Sequence, residues 1–467
     1  MTTFLYELPT TGAISFADFC VDRSLGKVYT THIANATQSR ANLRGALKEN
    51  KRTDGEKDYL KIVKILDEYI PQLCSIISCT AHDEISLQLE PVFSWRSTLS
   101  AHVFNSSPRV SLPSLHAEYA YTLLTYAFAL SNMARSIVAS LGPYEHDRAI
   151  SDVERRSKDE KLNHAITFLC RASGIFSFIS ETVLPEWRDS RDSGLSGLRL
   201  PPDLSTEVNG ALSKLALADA QSLAIRKLLS KSAYDSNVTP GPPLPKSHPS
   251  PALIAKLHLE CGSLYSSTRS LAKTPGSTGD SGEVSVVLRR YLADEYAFHS
   301  ALAHKWLGVD AGEFGGTAKG GDAVGFLTWA KKELEDLKDG GKGIGITRGE
   351  KEKTSRTLRK GKVAEELESV NIWLKNYKKA NDTLHFQPVP PQADLQARIP
   401  AGRLAVAAKA YTQPSPIFGP GSTEFIQQRT EELDLSLDEK SLGPVGDSLA
   451  EASTATSPTY AGAGSYF

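Results

Sequence analysis

Five cysteines, Cys20, Cys74, Cys79, Cys170 and Cys261, are the first residues here that could do covalent or metal chemistry. Their number is odd, they are scattered, and none forms a CxxC pair, so neither a disulfide framework nor a zinc site is indicated. Scattered cysteines act as small buried hydrophobes in a reducing compartment, and all five are assigned that role. Glu295 and His299 lie four apart on a helical stretch, with His304 close behind. No further ligand follows at zinc spacing, so a packed or surface histidine is expected. The glycines of Gly312–Gly321 and of Gly340-Gly341-Lys342-Gly343 do not fit the phosphate-cradling GxxxxGK[ST] pattern, and flexible loops are expected instead. There is no GxSxG elbow and no Cys/His protease signature. No catalytic, cofactor-binding or metal-ligating residue is therefore assigned, and the chain is read as a non-enzyme. An enzyme whose site is assembled from distant residues stands as the alternative of another class.

Charge points the same way. Lys and Arg number 53 against 54 Asp and Glu, a net charge of −1, which removes the general electrostatic argument for nucleic-acid binding. One local exception is the run from Arg348 to Lys362. Its seven basic residues (Arg348, Lys351, Lys353, Arg356, Arg359, Lys360, Lys362) outweigh Glu350 and Glu352. A solvated helix face is the plain reading; contact with an acidic membrane surface, at about 1 kcal/mol per well-placed charge, is the functional one. No stretch approaches the ~18–20 uninterrupted apolar residues of a membrane span, and the N-terminus shows no signal-peptide pattern. A soluble protein of the cytosol is expected.

The elements that would position any site are helical. Apolar residues recur at three- and four-residue spacing in Ala36–Asn50 and Lys57–Cys79, the second carrying Pro71, which should kink or break it. Further helices are predicted over Pro113–Leu141, Ser151–Leu184 (closing at Pro185), Leu204–Tyr234, Pro249–Ala272, Glu283–Leu307, Gly321–Leu337 and Arg348–Asp382. Polar Gly/Pro/Ser-rich loops join them. Residues 1–35 suit a short strand or hairpin, and 383–418 are proline-rich and extended. Small and aromatic residues alternate in Glu118-Tyr119-Ala120-Tyr121 and in Ala301-Leu302-Ala303-His304-Lys305-Trp306, the packing chemistry of helical hairpins, so an irregular helical solenoid is predicted. From Gly419 eight acids face Arg429 and Lys440, and the end is Ser/Thr/Ala/Gly-rich. Residues 419–467 are read as a disordered tail, and Leu433-Asp434-Leu435-Ser436-Leu437 as either a partner-binding segment or plain solubilising chain.

Three stretches resemble the Bro domain of endosomal-sorting adaptors. The first is Ala172-Ser173-Gly174-Ile175-Phe176 with Ile179-Ser180-Glu181-Thr182-Val183-Leu184. The second joins Leu215-Ala216-Leu217-Ala218-Asp219-Ala220-Gln221 to Ala252-Leu253-Ile254-Ala255-Lys256-Leu257. The third is Lys378-Lys379-Ala380-Asn381-Asp382 with Phe386-Gln387-Pro388-Val389-Pro390. They fall in family order across roughly residues 1–410. Within the family the likeness runs to the fungal ambient-pH signalling branch, through Leu8-Pro9-Thr10-Thr11, the run His304–Glu313, the run Ala330–Lys338 and Phe418-Gly419-Pro420-Gly421.

The resemblance implies a mainly α, banana-shaped solenoid with a TPR-like core, a small N-terminal β element and an extended C-terminal return segment, the Bro domain filling 1–418. It implies a scaffold that binds the C-terminal amphipathic helix of an ESCRT-III filament subunit. The scaffold would join that subunit to a pH-signalling complex that includes, indirectly, a calpain-like protease; a general endosomal-sorting adaptor is the alternative. It also implies peripheral recruitment to plasma-membrane or endosomal sites and no cofactor. Two of the family's three apolar groove positions fall on Leu253 and Leu257, four apart and so on one helix face. The third, aromatic in animal relatives, falls on Ala224, with Ile225 beside it. Leucines four apart are equally the mark of a core-facing stripe.

Overall fold

The computed structural model describes residues 3–100, 108–147, 149–189, 200–236, 241–273, 284–339, 350–427 and 429–431. The helices are α1 (Thr30–Arg52), α2 (Tyr59–Ala81), α3 (Leu115–Leu141), α4 (Asp152–Phe178), α5 (Leu184–Asp189), α6 (Thr206–Ser236), α7 (Pro251–Leu271), α8 (Val286–Phe314), α9 (Gly320–Asp339), α10 (Glu350–Ala380) and α11 (Gln392–Gln396). From α1 to α10 each long helix packs chiefly on its neighbours in sequence, the local contact pattern of a solenoid. Among the described residues four short strands make two antiparallel pairs: β1 (Cys20–Asp22) with β2 (Ile85–Leu87), and β3 (Val92–Arg96) with β4 (Arg109–Pro113).

The predicted helices all form, with informative differences at their ends. Ser151 caps α4 by accepting from the Glu154 N–H at 3.1 Å. Pro71 does not break α2, which runs through it. Leu66, Tyr69, Ile70, Leu73 and Ile76 are all buried along that helix, and their packing outweighs the lost hydrogen bond. Pro113 ends β4, opposite Val92, and leaves the cap of α3 to Ser114. Pro185 closes nothing. The chain passes through a π-turn at Ile179–Val183 into α5, where a first-turn proline gives up no hydrogen bond. The N-terminal segment finds its partners farther along the chain: Gly12 N–H donates to Ser94 O at 2.7 Å and Arg96 N–H to Thr10 O at 3.0 Å. Residues 423–427 and 429–431 are helical; the rest of the expected tail, Leu433–Leu437 included, lies outside the described residues. The stretch Asp152–Asp189 is long and apolar enough to cross a membrane by composition, but 61% of that window is buried against its neighbours as core.

Two buried carboxylates organise the packing. Glu118 on α3 is fully buried and accepts from Arg40 of α1 at 2.8 Å, Tyr69 of α2 at 2.9 Å and Trp95 of β3 at 2.7 Å. Arg40 spends its other nitrogens on Gly12 O at 2.9 Å and Thr11 Oγ1 at 2.7 Å. Asp219 on α6, 3% exposed, accepts from Tyr265 of α7 and Tyr291 of α8, both at 2.7 Å, and from Phe4 N–H at 3.1 Å. Burial pushes the Asp219 carboxyl up to about 6, against the pull of its hydroxyl donors.

Two predictions follow from these hubs. Glu118→Ala strands the Arg40 charge and should cost about 3–5 kcal/mol, read as a lowered urea midpoint. Removing the exposed Lys61–Glu49 pair should leave that midpoint where it was; equal midpoints for both variants would refute the hub assignment. For Asp219 the native state holds its proton to higher pH than the unfolded chain does. Stability relative to Asp219→Asn should therefore fall as pH rises from about 4 to about 6, by at most about 3 kcal/mol, and stay level above that. Parallel pH–stability curves for the two proteins would contradict this.

Candidate functional site

The expected groove residues come from α6 and α7. Pro251 occupies the first turn of α7, and Ile254, Ala255, Leu257, His258 and Cys261 turn into the core. Leu253 is half-buried at the edge of that core, whereas Leu257 is 3% exposed within it. On α6, Ala224 is half-buried against a second, smaller cluster, and Ile225 is fully buried. Leu253 and Ala224 thus keep part of their surface exposed, while Leu257 and Ile225 lie in the core. Leu228, four residues after Ala224 and 41% exposed, extends the apolar line along α6; nothing in the sequence singled it out.

The return segment lies across the same face. Arg403 N–H donates to Lys256 O at 3.0 Å, and Lys409 N–H to Cys170 O at 2.9 Å on α4. Gly402 is needed there, since a Cβ would stand 2.9 Å from the Glu260 nitrogen and 3.0 Å from its Cα. Gly174, in the first family stretch, has the same function on α4, where a Cβ would come within 1.8 Å of Lys409 O. Val406 packs on the small cluster that also supports Ala224. Farther along, the segment walls a cavity of 330 Å³ between α2, α3 and α4. At its rim Tyr126 donates to Asp67 at 2.6 Å and accepts from Arg171 at 2.7 Å.

The residues weighed for metal chemistry are core pairs. His299, fully buried, faces His258 with 2.9 Å between their Nδ1 atoms, and burial pushes His258 down to about 3, so both rings are neutral at ordinary pH. Glu295 Oε2 stays 4.0 Å from His299 Nε2. His304 bonds Glu333 at 2.7 Å and stacks on Trp329. Among the described residues no group of three His, Cys, Asp or Glu side chains is placed to hold a metal ion, and all five cysteines are buried and unpaired. His258 carries no spacing signal and could not have been paired with His299 from sequence.

The basic run divides. Arg348 lies outside the described residues, as do the side chains of Lys351, Lys353 and Arg356. Arg359 bonds Asp294 on α8, and the Lys362 ammonium stands 4.0 Å from the centre of the Phe298 ring. These two charges face the fold, and Lys360 is exposed.

The sequence matches the model of the BRO1-like domain over residues 19–430. It is 38% identical over 511 residues to the pH-response regulator protein palC of Cryptococcus neoformans var. neoformans serotype D, covering all of both chains. It is 24% identical over 517 residues to palC of Yarrowia lipolytica, covering 99% of this chain and 98% of that one. Among solved structures, the complex of the ALIX BRO1 domain with CHMP4C superposes with a TM-score of 0.59 at 19% identity, over 89% of this chain and 97% of that one. A structure described as the basis for endosomal targeting by the Bro1 domain does so at 0.54 and 16%, over 94% and 98%. Both share the helical, banana-shaped fold. The family match and the regulator names of the relatives support an adaptor role. The chain belongs to the BRO1-like domain family and is a homologue of the palC pH-response regulators.

Proposed function

We propose that the chain is a non-catalytic adaptor whose face between α6, α7 and the return segment takes the C-terminal amphipathic helix of an ESCRT-III filament subunit. In this reading it ties that subunit to the fungal ambient-pH signalling complex, in which a calpain-like protease activates a transcription factor. One observation carries the proposal: Leu253 and Ala224, on the stretch where the family resemblance sets its groove, are each half-buried, and the extended return segment runs beside them, bonded to Lys256 O and packing Val406 on the cluster that supports Ala224. Support comes from the palC relatives, named as pH-response regulators, and from the ALIX BRO1 domain, which was solved with CHMP4C.

The mechanism is insertion of apolar side chains from one helix into a slot between others. Few anchors carry most of the energy in such contacts, with truncation costing about 2 kcal/mol or more at the best of them. Ala224 offers little area where animal relatives have an aromatic ring, so Leu253 and its neighbours bear more of the contact. Work at the cytosolic side of plasma-membrane or endosomal sites accords with such a partner. A general endosomal-sorting adaptor is the second reading, favoured by the fold's likeness to a Bro1 domain described for endosomal targeting. A deletion strain with normal pH response and defective cargo sorting would favour it.

The test is calorimetric titration of the full chain with a synthetic peptide of the ESCRT-III subunit's C-terminal helix. Micromolar binding is expected, lost in Leu253→Asp with the helical circular-dichroism melt unchanged. Leu257→Asp buries a charge at a position 3% exposed and should lower the melting temperature itself. No binding by well-folded wild type would remove the assigned partner.

A further inference from the structure

The 330 Å³ cavity between α2, α3 and α4 holds two cations without a counter-charge. Its size is at the small end of ligand pockets, about 300–1,000 Å³. Asp67, Lys409 and Thr412 line it and are exposed, so solvent reaches it. The Lys409 N–H donates to Cys170 O at 2.9 Å, which sets this lysine beside Arg171. Among the described residues no carboxylate pairs with either cation. The Arg171 guanidinium makes one bond, to the Tyr126 hydroxyl at 2.7 Å. Tyr126 is buried, and burial pushes its hydroxyl up, so the phenol stays protonated. It gives its hydrogen to Asp67 at 2.6 Å and its lone pair to Arg171. The phenol thereby stands between acid and guanidinium, and the remaining guanidinium N–H groups stay unspent.

The α2 side of the cavity offers acceptors instead. Pro71 lies inside α2 and has no N–H, so it cannot give the helical bond to the Asp67 carbonyl four residues earlier. Asp67 and Pro71 both line the cavity, and the Asp67 carboxylate adds a second acceptor there. Much of the remaining lining is apolar. Ile70 and Ile175 are buried, and the half-buried Tyr411 ring stands 5.1 Å from that of Phe178. One cavity thus joins a cationic side, an acceptor side and apolar wall.

We infer that this cavity is a second binding site and that it takes an extended acidic peptide. A carboxylate of the peptide meets Arg171 and Lys409, a neighbouring apolar side chain packs on Ile70 and Ile175, and a peptide N–H turns to Asp67. Tyr126 is the positioning residue that keeps the guanidinium clear of Asp67. The site goes beyond the adaptor reading and does not depend on it. A carboxylate between two cations makes charge-assisted hydrogen bonds, roughly twice as strong as neutral ones. A concave, partly apolar wall focuses the field of those cations towards the entering acid. Asp67 disfavours a phosphate dianion, which it repels, and favours a chain that brings N–H donors of its own.

The experiment screens pooled, capped tetrapeptides in which Asp or Glu alternates with Leu, Val or Phe against the full chain, by saturation-transfer NMR, and titrates the best of them. Binding is expected to weaken by about tenfold or more when each acid is replaced by its amide. Inorganic phosphate should neither bind nor compete. Arg171→Gln and Lys409→Gln should each weaken the acidic peptide, with the circular-dichroism melt as in wild type, because neither side chain belongs to the core. Tyr126→Phe keeps the ring and both cations, yet should weaken binding by letting Arg171 close on Asp67. A diffuse cationic patch would not respond to that change, so unaltered binding in Tyr126→Phe removes the positioning role. Equal binding of acid and amide peptides, or acid binding that survives both Arg171→Gln and Lys409→Gln, overturns the site. Phosphate that binds and displaces the peptide overturns the ligand class. No binding of any pool by folded wild type overturns the proposal as a whole.

Discussion

A carboxylate buried without compensation would oppose folding, and the Glu118 site shows how this solenoid turns that constraint into architecture. A hydroxyl, an indole N–H and a guanidinium must converge on one side chain, so α1, α2, β3 and, through Arg40, the N-terminal segment are all brought to α3. The net gain from a buried ion pair is small, because desolvation consumes most of it. What the pair supplies is uniqueness, since any other arrangement of these elements leaves a charge or an indole N–H unsatisfied. Asp219 repeats the device in the middle of the molecule, where Tyr265, Tyr291 and the Phe4 amide meet.

A pattern joins these hubs to the proposed groove. Helix–helix packing here is local, each helix against the next, and would tolerate many loosely bent solenoids. The extended chain ends are the long-range elements. The N-terminal segment is bonded to Asn132 and Asp219, and the return segment to Gln221, Cys170 O and, through Ser75 and Ser78, back to α2. Both are held by side chains and carbonyls of the helices they cross, with glycine where the backbones meet most closely. Such straps hold the helices in a fixed relation, and a binding adaptor depends on a surface whose shape exists before the partner arrives.

The helices and their order were legible in the sequence, because a 3.6-residue apolar period with a glycine or proline after it is a local signal. The β partners were not. Gly12 and Ser94 are remote in the chain, and no periodicity links them. Pro71 misled because a proline's local cost is small beside the apolar surface buried by the helix around it, and Pro185 because it falls in the first turn of α5, where no hydrogen bond is lost. The candidate site was half legible. Leu253 and Leu257 stood out as leucines four apart on a family-like stretch, but whether each faces core or solvent is a matter of a single helix rotation against neighbours. The fold sends Leu257 inward and leaves Leu253 at the rim.

By itself, then, the sequence determined a mainly helical, near-neutral chain without a recognisable catalytic or metal motif, together with the stretches that carry its Bro-domain likeness. Composition and short-range spacing are properties of the chain alone. The tertiary structure decided the rest: that His258 meets His299, that Arg359 and Lys362 turn towards α8, and that Gln221 grips residues 403–405 from a distance of nearly two hundred positions. Those pairings depend on which helix faces form the core once every buried polar group has a partner, a condition that is satisfied over the whole molecule at once and leaves no trace in any single segment.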